Sequence, residues 1–349
     1  MPEDGPIVPS GWMDPVRVAV VSPGAPVISL VLGSGGARGY AHIGAIEELE
    51  AQGFAIRSIA GSSMGALIGG IHAAGKLDAY RDWVRPLQRR DVLRLLDWTL
   101  SGGGFIKGDR IIGVLRELVG DTDIEDLPIS YTAVAVDLDV QREVWFSRGS
   151  LFDAIRASIA IPTVFRPYHY QGRLLVDGGL LNPLPVSPTL RDLTDATIAV
   201  DVNAPGEPLY AVARNASPTD ARDLGSAGQA SPEMLPDGAG PAPTDVGQAG
   251  YRRRLGAFVG SMIGKRGQRV AVHEPGMLEL FARSLDMVQE TITRLKLAAQ
   301  PPDLLITIPR NTCAFYEFDR ADELIEIGRR RTREALARWS PPKRQSGSH

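Results

Sequence analysis

The stretch Ile56-Arg57-Ser58-Ile59-Ala60-Gly61-Ser62-Ser63-Met64-Gly65-Ala66-Leu67-Ile68-Gly69-Gly70-Ile71-His72-Ala73-Ala74 decides how the rest of the chain is read. Its first part reads as a strand and its last as a helix of very small residues. Ser63 stands at the turn between them, with a glycine two positions before and two after. A sharp strand-to-helix turn of this kind lifts Oγ clear of the backbone. The glycines remove the Cβ atoms that so tight a crossing would force together. Three fixed positions also arise by chance in a glycine-rich chain, so a plain glycine turn stands beside the catalytic reading until other residues decide. The helix after Ser63 is poor in intrinsic propensity and is expected to be buried against close neighbours.

Upstream, Ile28 to Leu32 reads as a buried central strand, and Tyr40 to Gln52 as a helix with Ile43, Ile46 and Leu49 on one face. Phe54 to Ala60 returns as a strand, which gives a strand-helix-strand unit that favours parallel pairing. Between the first strand and its helix lies Gly33-Ser34-Gly35-Gly36-Ala37-Arg38-Gly39. It fails the dinucleotide fingerprint, because Arg38 stands where the third glycine belongs, and no Gly-Lys-Ser/Thr follows. A tight crossing and a phosphate cradle stay open beside a third reading, in which the loop's backbone N–H groups hold a developing oxyanion next to Ser63.

Downstream, helices are expected at 77–88, 109–119 and 151–158, with a mobile loop at Ser101 to Gly104. Strands at 131–138 and 143–146 are joined by a turn at 139–142, and a strand at 173–176 ends in Asp177-Gly178-Gly179. Strands at 197–202 and 303–308 complete the sheet, and helices at 277–297 and 319–339 follow the insertion. The chain divides into a flexible lead-in (1–26), a core (27–204), a disordered insertion rich in Pro, Gly, Ala, Ser and Asp (205–250), a basic amphipathic segment (251–275), closing helices with the last strand (276–340) and a polar tail (341–349). In the basic segment Leu255, Phe258, Val259, Met262 and Ile263 recur at helical spacing beside Arg252, Arg253, Arg254, Lys265, Arg266 and Arg269. That pattern suits an anionic membrane surface or a solvated linker.

Composition bounds the answer. With 349 residues, 44% hydrophobic and 23% charged, the chain suits one large α/β domain or two small ones. A net charge of -3 carries no global nucleic-acid signal. The single cysteine, Cys313, excludes an internal disulfide and a multi-cysteine metal site and fits a reducing compartment. The acidic start Met1-Pro2-Glu3-Asp4 and the short apolar run Val16 to Val21 argue against a secretory signal. No stretch approaches the roughly 20 apolar residues of a membrane span. The expectation is a cytoplasmic protein, with any membrane contact peripheral and at the inner face.

Ser63 needs a base. His42 lies just past the glycine loop, where a structural hydrogen bond is expected, and His72 is too far along its helix to reach Oγ. His169 sits in an aromatic strand segment and is the best of the histidines; His273 follows the insertion and His349 ends the chain. Asp177 is the stronger candidate, because it ends a strand where catalytic groups gather, although an Asp-Gly turn is its plain alternative. A carboxylate is a weaker base than imidazole by roughly 2 to 3 pKa units, so burial near a dry site would help it by raising its pKa.

Taken together these residues resemble the patatin-like phospholipases, in the compact bacterial group. Gly33 to Gly39 is similar to that family's oxyanion loop, Gly61-Ser62-Ser63-Met64-Gly65 to its nucleophile motif and Asp177-Gly178-Gly179 to its aspartate motif. The segments Arg156 to Pro167 and Leu180 to Pro185 resemble those on either side of the aspartate. The resemblance covers about Val27 to Asn203, and more loosely Met277 to Leu336, where Phe318-Asp319-Arg320-Ala321 is similar to the start of the closing helix.

The resemblance implies a three-layer α/β/α fold with a mostly parallel sheet, and a dyad of Ser63 and Asp177 without histidine. It implies that the backbone of Gly33, Ser34, Gly35, Gly36, Ala37, Arg38 and Gly39, with Met64 N–H, supplies oxyanion donors, while Gly61, Gly65, Gly178 and Gly179 shape the turns. The implied activity is hydrolysis of a lipid or lysophospholipid acyl ester, with no metal or other cofactor. Two rivals stand beside it. One is an acyltransferase or a triad hydrolase using His169; the other is a membrane-associated regulatory protein with a vestigial site. The insertion and basic segment depart from the compact pattern, which leaves gating and anchoring open. Oligomeric state is not legible from sequence.

Overall fold

The computed structural model describes residues 25–97, 104–207 and 277–341. In chain order the elements are β1 (Val27–Leu32), α1 (Ala41–Ala51), β2 (Ala55–Ser62), α2 (Met64–Ala73), α3 (Leu77–Val84), α4 (Arg89–Leu95), β3 (Gly104–Ile106), α5 (Asp109–Val119), β4 (Ser130–Asp137), β5 (Arg142–Phe146), α6 (Leu151–Ser158), β6 (Thr163–Phe165), β7 (Tyr168–Tyr170), β8 (Arg173–Asp177), β9 (Ala196–Ala204), α7 (Met277–Ala299), β10 (Leu304–Pro309) and α8 (Ala321–Leu336). A single 3-10 turn, Gly36–Tyr40, leads into α1.

The side-chain period of a strand sorts the core into two faces. On β1, Ile28, Leu30 and Leu32 point to the face covered by α1, α2, α6 and α8, where Ile46, Ile68, Ile155 and Leu324 are wholly buried. Val31 points the other way, to a smaller cluster with Ala199, Leu184 and Val186, against which Leu297 of α7 packs. Helices therefore flank a central sheet on both faces. The helix after Ser63 is buried throughout, since all ten residues of α2 are inaccessible or nearly so. Small side chains are what let α2 lie this close to β1 and β2.

The sheet runs β10-β9-β1-β2-β4-β8-β7, with β5 also on β4. β10, β9, β1, β2 and β4 are parallel; β5, β8 and β7 are antiparallel to their neighbours. β4 carries the arrangement that matters for the site. Ala133 pairs with Gly61 of β2 and with Phe146 of β5, so β2 and β5 lie on opposite edges. Ala135 pairs with Val144 of β5 and with Asp177 of β8, so β8 shares the edge of β2. Ser62 stands opposite Val134 and Asp177 opposite Ala135. β2 and β8 thus run toward each other along one edge of β4 and meet end to end.

The structure departs from the sequence reading at three places. The helix expected over 77–88 stops at Val84, because Pro86 lacks an N–H and restricts the residue before it. A separate helix, α4, then starts at Arg89, where the Asp91 carboxylate accepts from Gln88 N–H at 3.0 Å. The short strands β3 and β6 pair with each other, outside the main sheet. The chain past the expected boundary at 204 is also tied down, since Glu207 pairs with Arg331 at 2.7 Å. The expected lead-in up to residue 24, most of the loop 101–104, the insertion from 208, the basic segment 251–275 and the tail from 342 lie outside the described residues. Among the described residues no helix is long and apolar enough to cross a membrane.

Candidate active site

The turn between β2 and α2 places Ser63 at φ 55°, ψ -122°, a region that L-residues rarely occupy. Strain of this kind persists only where the surroundings over-determine it. Gly65 is one reason it persists. A Cβ there would lie 2.1 Å from the carbonyl oxygen of Leu32, and that atom and its neighbours belong to the Leu32–Gly33 backbone, which has no side-chain end to yield. Ser158, at the end of α6, is the second reason. Its Oγ accepts from Ser63 N–H at 2.9 Å and its hydroxyl donates to Val134 O at 2.6 Å, so the turn is bolted to β4.

The same segment holds the aspartate. Two residues past Ser158, Ala160 O accepts from Asp177 N–H at 2.9 Å. Ser63 Oγ donates to Asp177 Oδ2 at 2.6 Å, and Gly179 N–H donates to Asp177 Oδ1 at 2.7 Å. Both side chains are buried, with 3% exposure each. Burial pushes the Asp177 carboxyl up to about 7, while the hydrogen bonds from Ser63 and Gly179 act in the opposite direction. A carboxylate in direct contact with a serine hydroxyl, and titrating near neutrality, has the geometry and basicity to take its proton. Ser158→Ala should leave Ser63 N–H buried without an acceptor. The expected cost is about 1–3 kcal/mol of stability, read as a lower thermal midpoint, with turnover reduced at nearly unchanged KM.

The glycine loop is fixed from several sides. Gly33 N–H donates to Val200 O at 3.0 Å, Ser34 N–H to Pro183 O at 2.8 Å and Ala37 N–H to Phe315 O at 2.8 Å. Those three N–H groups are committed to the scaffold. The N–H groups of Gly35 and Gly36 have no partner among the described residues, and Gly36 takes φ +56° beside Phe315 O. Met64 N–H is the first of α2, whose earliest intrahelical bond is Leu67 N–H to Ser63 O at 3.0 Å, so it too is left over at the helix start. Gly39 packs against the Met64 side chain. Arg38 is held in place, its guanidinium buried in a two-pronged pair with Asp286 of α7 at 2.7 and 3.2 Å and on Arg310 O at 3.0 Å.

Ser63 and Gly36 border two recesses. The larger, about 870 Å³ with its open mouth, is almost wholly apolar, walled by Tyr80 and Trp83 of α3, Leu95 of α4, Leu115 of α5, Phe165 and Phe318. The smaller, about 320 Å³ with its mouth, adds Asp177, Ser34, Arg38 and four α7 residues that include Asp286 and Gln289 beside Ser63. The site therefore offers an oily cleft and a smaller recess that both reach Ser63, the second bordered by Asp177, Asp286 and Gln289. No group of three or more His, Cys, Asp or Glu placed to hold a metal ion occurs among the described residues.

Of the histidines, His42 Nε2 shares a hydrogen bond of 2.8 Å with Gly33 O, and burial lowers its pKa to about 4, in keeping with a structural role. His72 is buried at the far end of α2 beside Glu50. His169 is exposed on β7 and borders neither recess, so the structure does not bring it to Ser63. Sequence reasoning missed Ser158, Asn203 and Gln289. Ser158 lies inside the quoted Arg156 to Pro167 segment, which was the one available signal; nothing local marks the other two.

A sequence profile described as Patatin-like phospholipase matches residues 30–190. An uncharacterized NTE family protein of Mycobacterium tuberculosis is 42% identical over 340 residues, covering 92% of this chain and 94% of that one, and one of Mycobacterium bovis is equally similar. The neuropathy target esterase of Drosophila persimilis is 33% identical over 165 residues, which is 45% of this chain and 11% of that longer protein. Among solved structures, VipD from Legionella pneumophila has a TM-score of 0.49 at 13% identity, covering 91% of this chain and 68% of that one.

Proposed function

Because the chain belongs to the patatin-like phospholipase family, we propose that it is a lipid acyl hydrolase of the phospholipase A or lysophospholipase type, working through a Ser63–Asp177 dyad and an acyl-enzyme. The observation that carries the reading is the 2.6 Å contact between Ser63 Oγ and Asp177 Oδ2, with Ser63 in the wall of an apolar cleft. The acyl chain lies in that cleft. Ser63 Oγ attacks the ester carbonyl as Asp177 takes its proton, and Asp177 then returns the proton to the departing alcohol. The negative charge on the carbonyl oxygen is met by the N–H groups of Gly35, Gly36 and Met64, the ones with no other bond to make. Water finally hydrolyses the acyl-enzyme. An intact nucleophile–base contact speaks against a vestigial site, and the exposed position of His169 speaks against the triad.

The cleft makes a quantitative expectation. Each methylene moved from water into an apolar wall contributes about 0.8 kcal/mol, or roughly fourfold in kcat/KM, until the cleft is full. A series of p-nitrophenyl esters from acetate to palmitate should rise in this way and then level off. Leu115→Trp, which fills the cleft from α5, should move the plateau to shorter chains while acetate turnover stays within about threefold of wild type. A wild-type preference for acetate would remove the lipid reading. Release of free fatty acid from phosphatidylcholine against lysophosphatidylcholine vesicles then separates the two phospholipase types.

A further inference from the structure

The polar recess has an owner that the dyad does not need. Gln289 projects from α7, is 5% exposed, and borders the recess together with Ser63, Asp177, Ser34 and the Gly35–Gly36 backbone. The orientation of its amide follows from its neighbours. Ser34 O is a carbonyl and can only accept, so the Asn203 atom that meets it at 3.0 Å is the Nδ2 donor. The same Nδ2 meets Gln289 at 2.9 Å, so the Gln289 atom there is the oxygen Oε1, which also accepts from Ser34 Oγ at 3.0 Å. Nε2 must then point the other way. It lies at Gly179, 2.5 Å from where a Cβ on that glycine would stand, with Asp177 Oδ1 2.9 Å from the same point. It has no hydrogen-bond partner among the described residues. A donor that is neither paired within the protein nor sealed off is free to hold a water.

We infer that this recess holds the water that hydrolyses the acyl-enzyme, and that Gln289 Nε2 donates a hydrogen bond to the oxygen of that water. The inference rests on the Ser63 acyl-enzyme proposed above. The two recesses suit different occupants: an acyl chain fills the larger apolar cleft, while a water, whose share of liquid volume is about 30 Å³, fits between Asp177 and Gln289 in the smaller one. With a lone pair held by Gln289, the water turns a proton toward Asp177. Its oxygen bonds to the acyl carbon as that proton passes to Asp177, the Ser63 Oγ–carbon bond breaks, Oγ takes the proton back, and the fatty acid leaves. Acylation does not use this water. Loss of Gln289 therefore slows the second half-reaction and spares the first.

Stopped-flow turnover of p-nitrophenyl butyrate separates the two halves. In Gln289→Met the rate of the initial p-nitrophenol release should stay within about threefold of wild type. The steady-state rate should fall about tenfold, the value of one hydrogen bond to the reacting water, so that a burst approaching one p-nitrophenol per enzyme appears and intact-mass measurement finds acylated protein. Gln289→Glu keeps an acceptor for Ser34 and Asn203 but loses the donor, and should accumulate the acyl-enzyme as well. If Gln289→Met shows no cooperative thermal transition, Gln289→Glu alone decides. Equal loss in both phases would make Gln289 only a support of the glycine loop and overturn the proposal, as would unchanged rates in both. If no acyl group is trapped on Ser63 in wild type or either variant, the acyl-enzyme reading itself fails, which is a different result from the other two.

Discussion

Ser63→Ala is expected to reduce ester turnover by at least about 10⁴-fold and to abolish labelling by a fluorophosphonate. The size follows from what the proposed mechanism asks of the hydroxyl: without it no acyl-enzyme would form, and the residual rate would be that of a bound ester facing water in front of the oxyanion donors. The fold should survive. Ser63 keeps its backbone hydrogen bond to Ser158, and the hydroxyl's one bond is to Asp177, which Ala leaves in place. The thermal midpoint should therefore move much less than the activity. Steady-state kcat/KM with a short ester, with intact mass after fluorophosphonate treatment, decides the matter. Turnover within tenfold of wild type would remove Ser63 from the reaction. Because the two residues act as a unit, the double variant with Asp177→Asn should be no worse than Ser63→Ala alone.

Asp177→Asn should lower kcat by about 10²- to 10⁴-fold, the range for loss of a positioned base, and its pH dependence identifies the role. Wild-type kcat/KM should rise with pH through about 7, as the carboxyl held up by burial ionises, and the Asn variant should lack that limb. Stability moves in the opposite sense. The folded-state pKa of about 7 lies above the ordinary value of 3.8, so the folded protein holds this proton more tightly than the unfolded chain. The stability so contributed is fully present below about 3.8 and is lost as pH rises through about 7. Asn stays neutral throughout. The variant should match wild type near pH 4 and become more stable as pH rises, by on the order of a few kcal/mol above neutrality. Thermal midpoints across that range test it, and a variant that is less stable at alkaline pH would mean that the Asp177 carboxylate is not held against its own desolvation.

These two results concern residues that the sequence singles out. Gly61, Ser63 and Gly65 form a local signal, and so do the glycine loop and the Asp177-Gly178-Gly179 turn, because each is decided by what a few neighbouring backbone units can adopt. Their chemistry depends on distances that no local signal encodes. The break at Pro86 is also local and legible, and so is the aromatic strand around His169; the short strand β6 is not, since three residues carry too little periodicity to stand out.

What the sequence by itself determined is the turn that carries Ser63 between β2 and α2, the apolar run that buries β1, and the parallel unit from Val27 to Ser62, all of which follow from side-chain size and pattern along the chain. Only the tertiary structure decided which titratable side chain touches the serine and how the site is walled. Asp177 reaches Oγ because β2 and β8 end against each other on one edge of β4, a matter of pairing register between strands more than a hundred residues apart. The apolar cleft draws on residues from Gly36 to Phe318, and the polar recess is closed by Gln289 from beyond the insertion. Such contacts are fixed by how whole layers pack, and packing becomes visible only once the chain has folded.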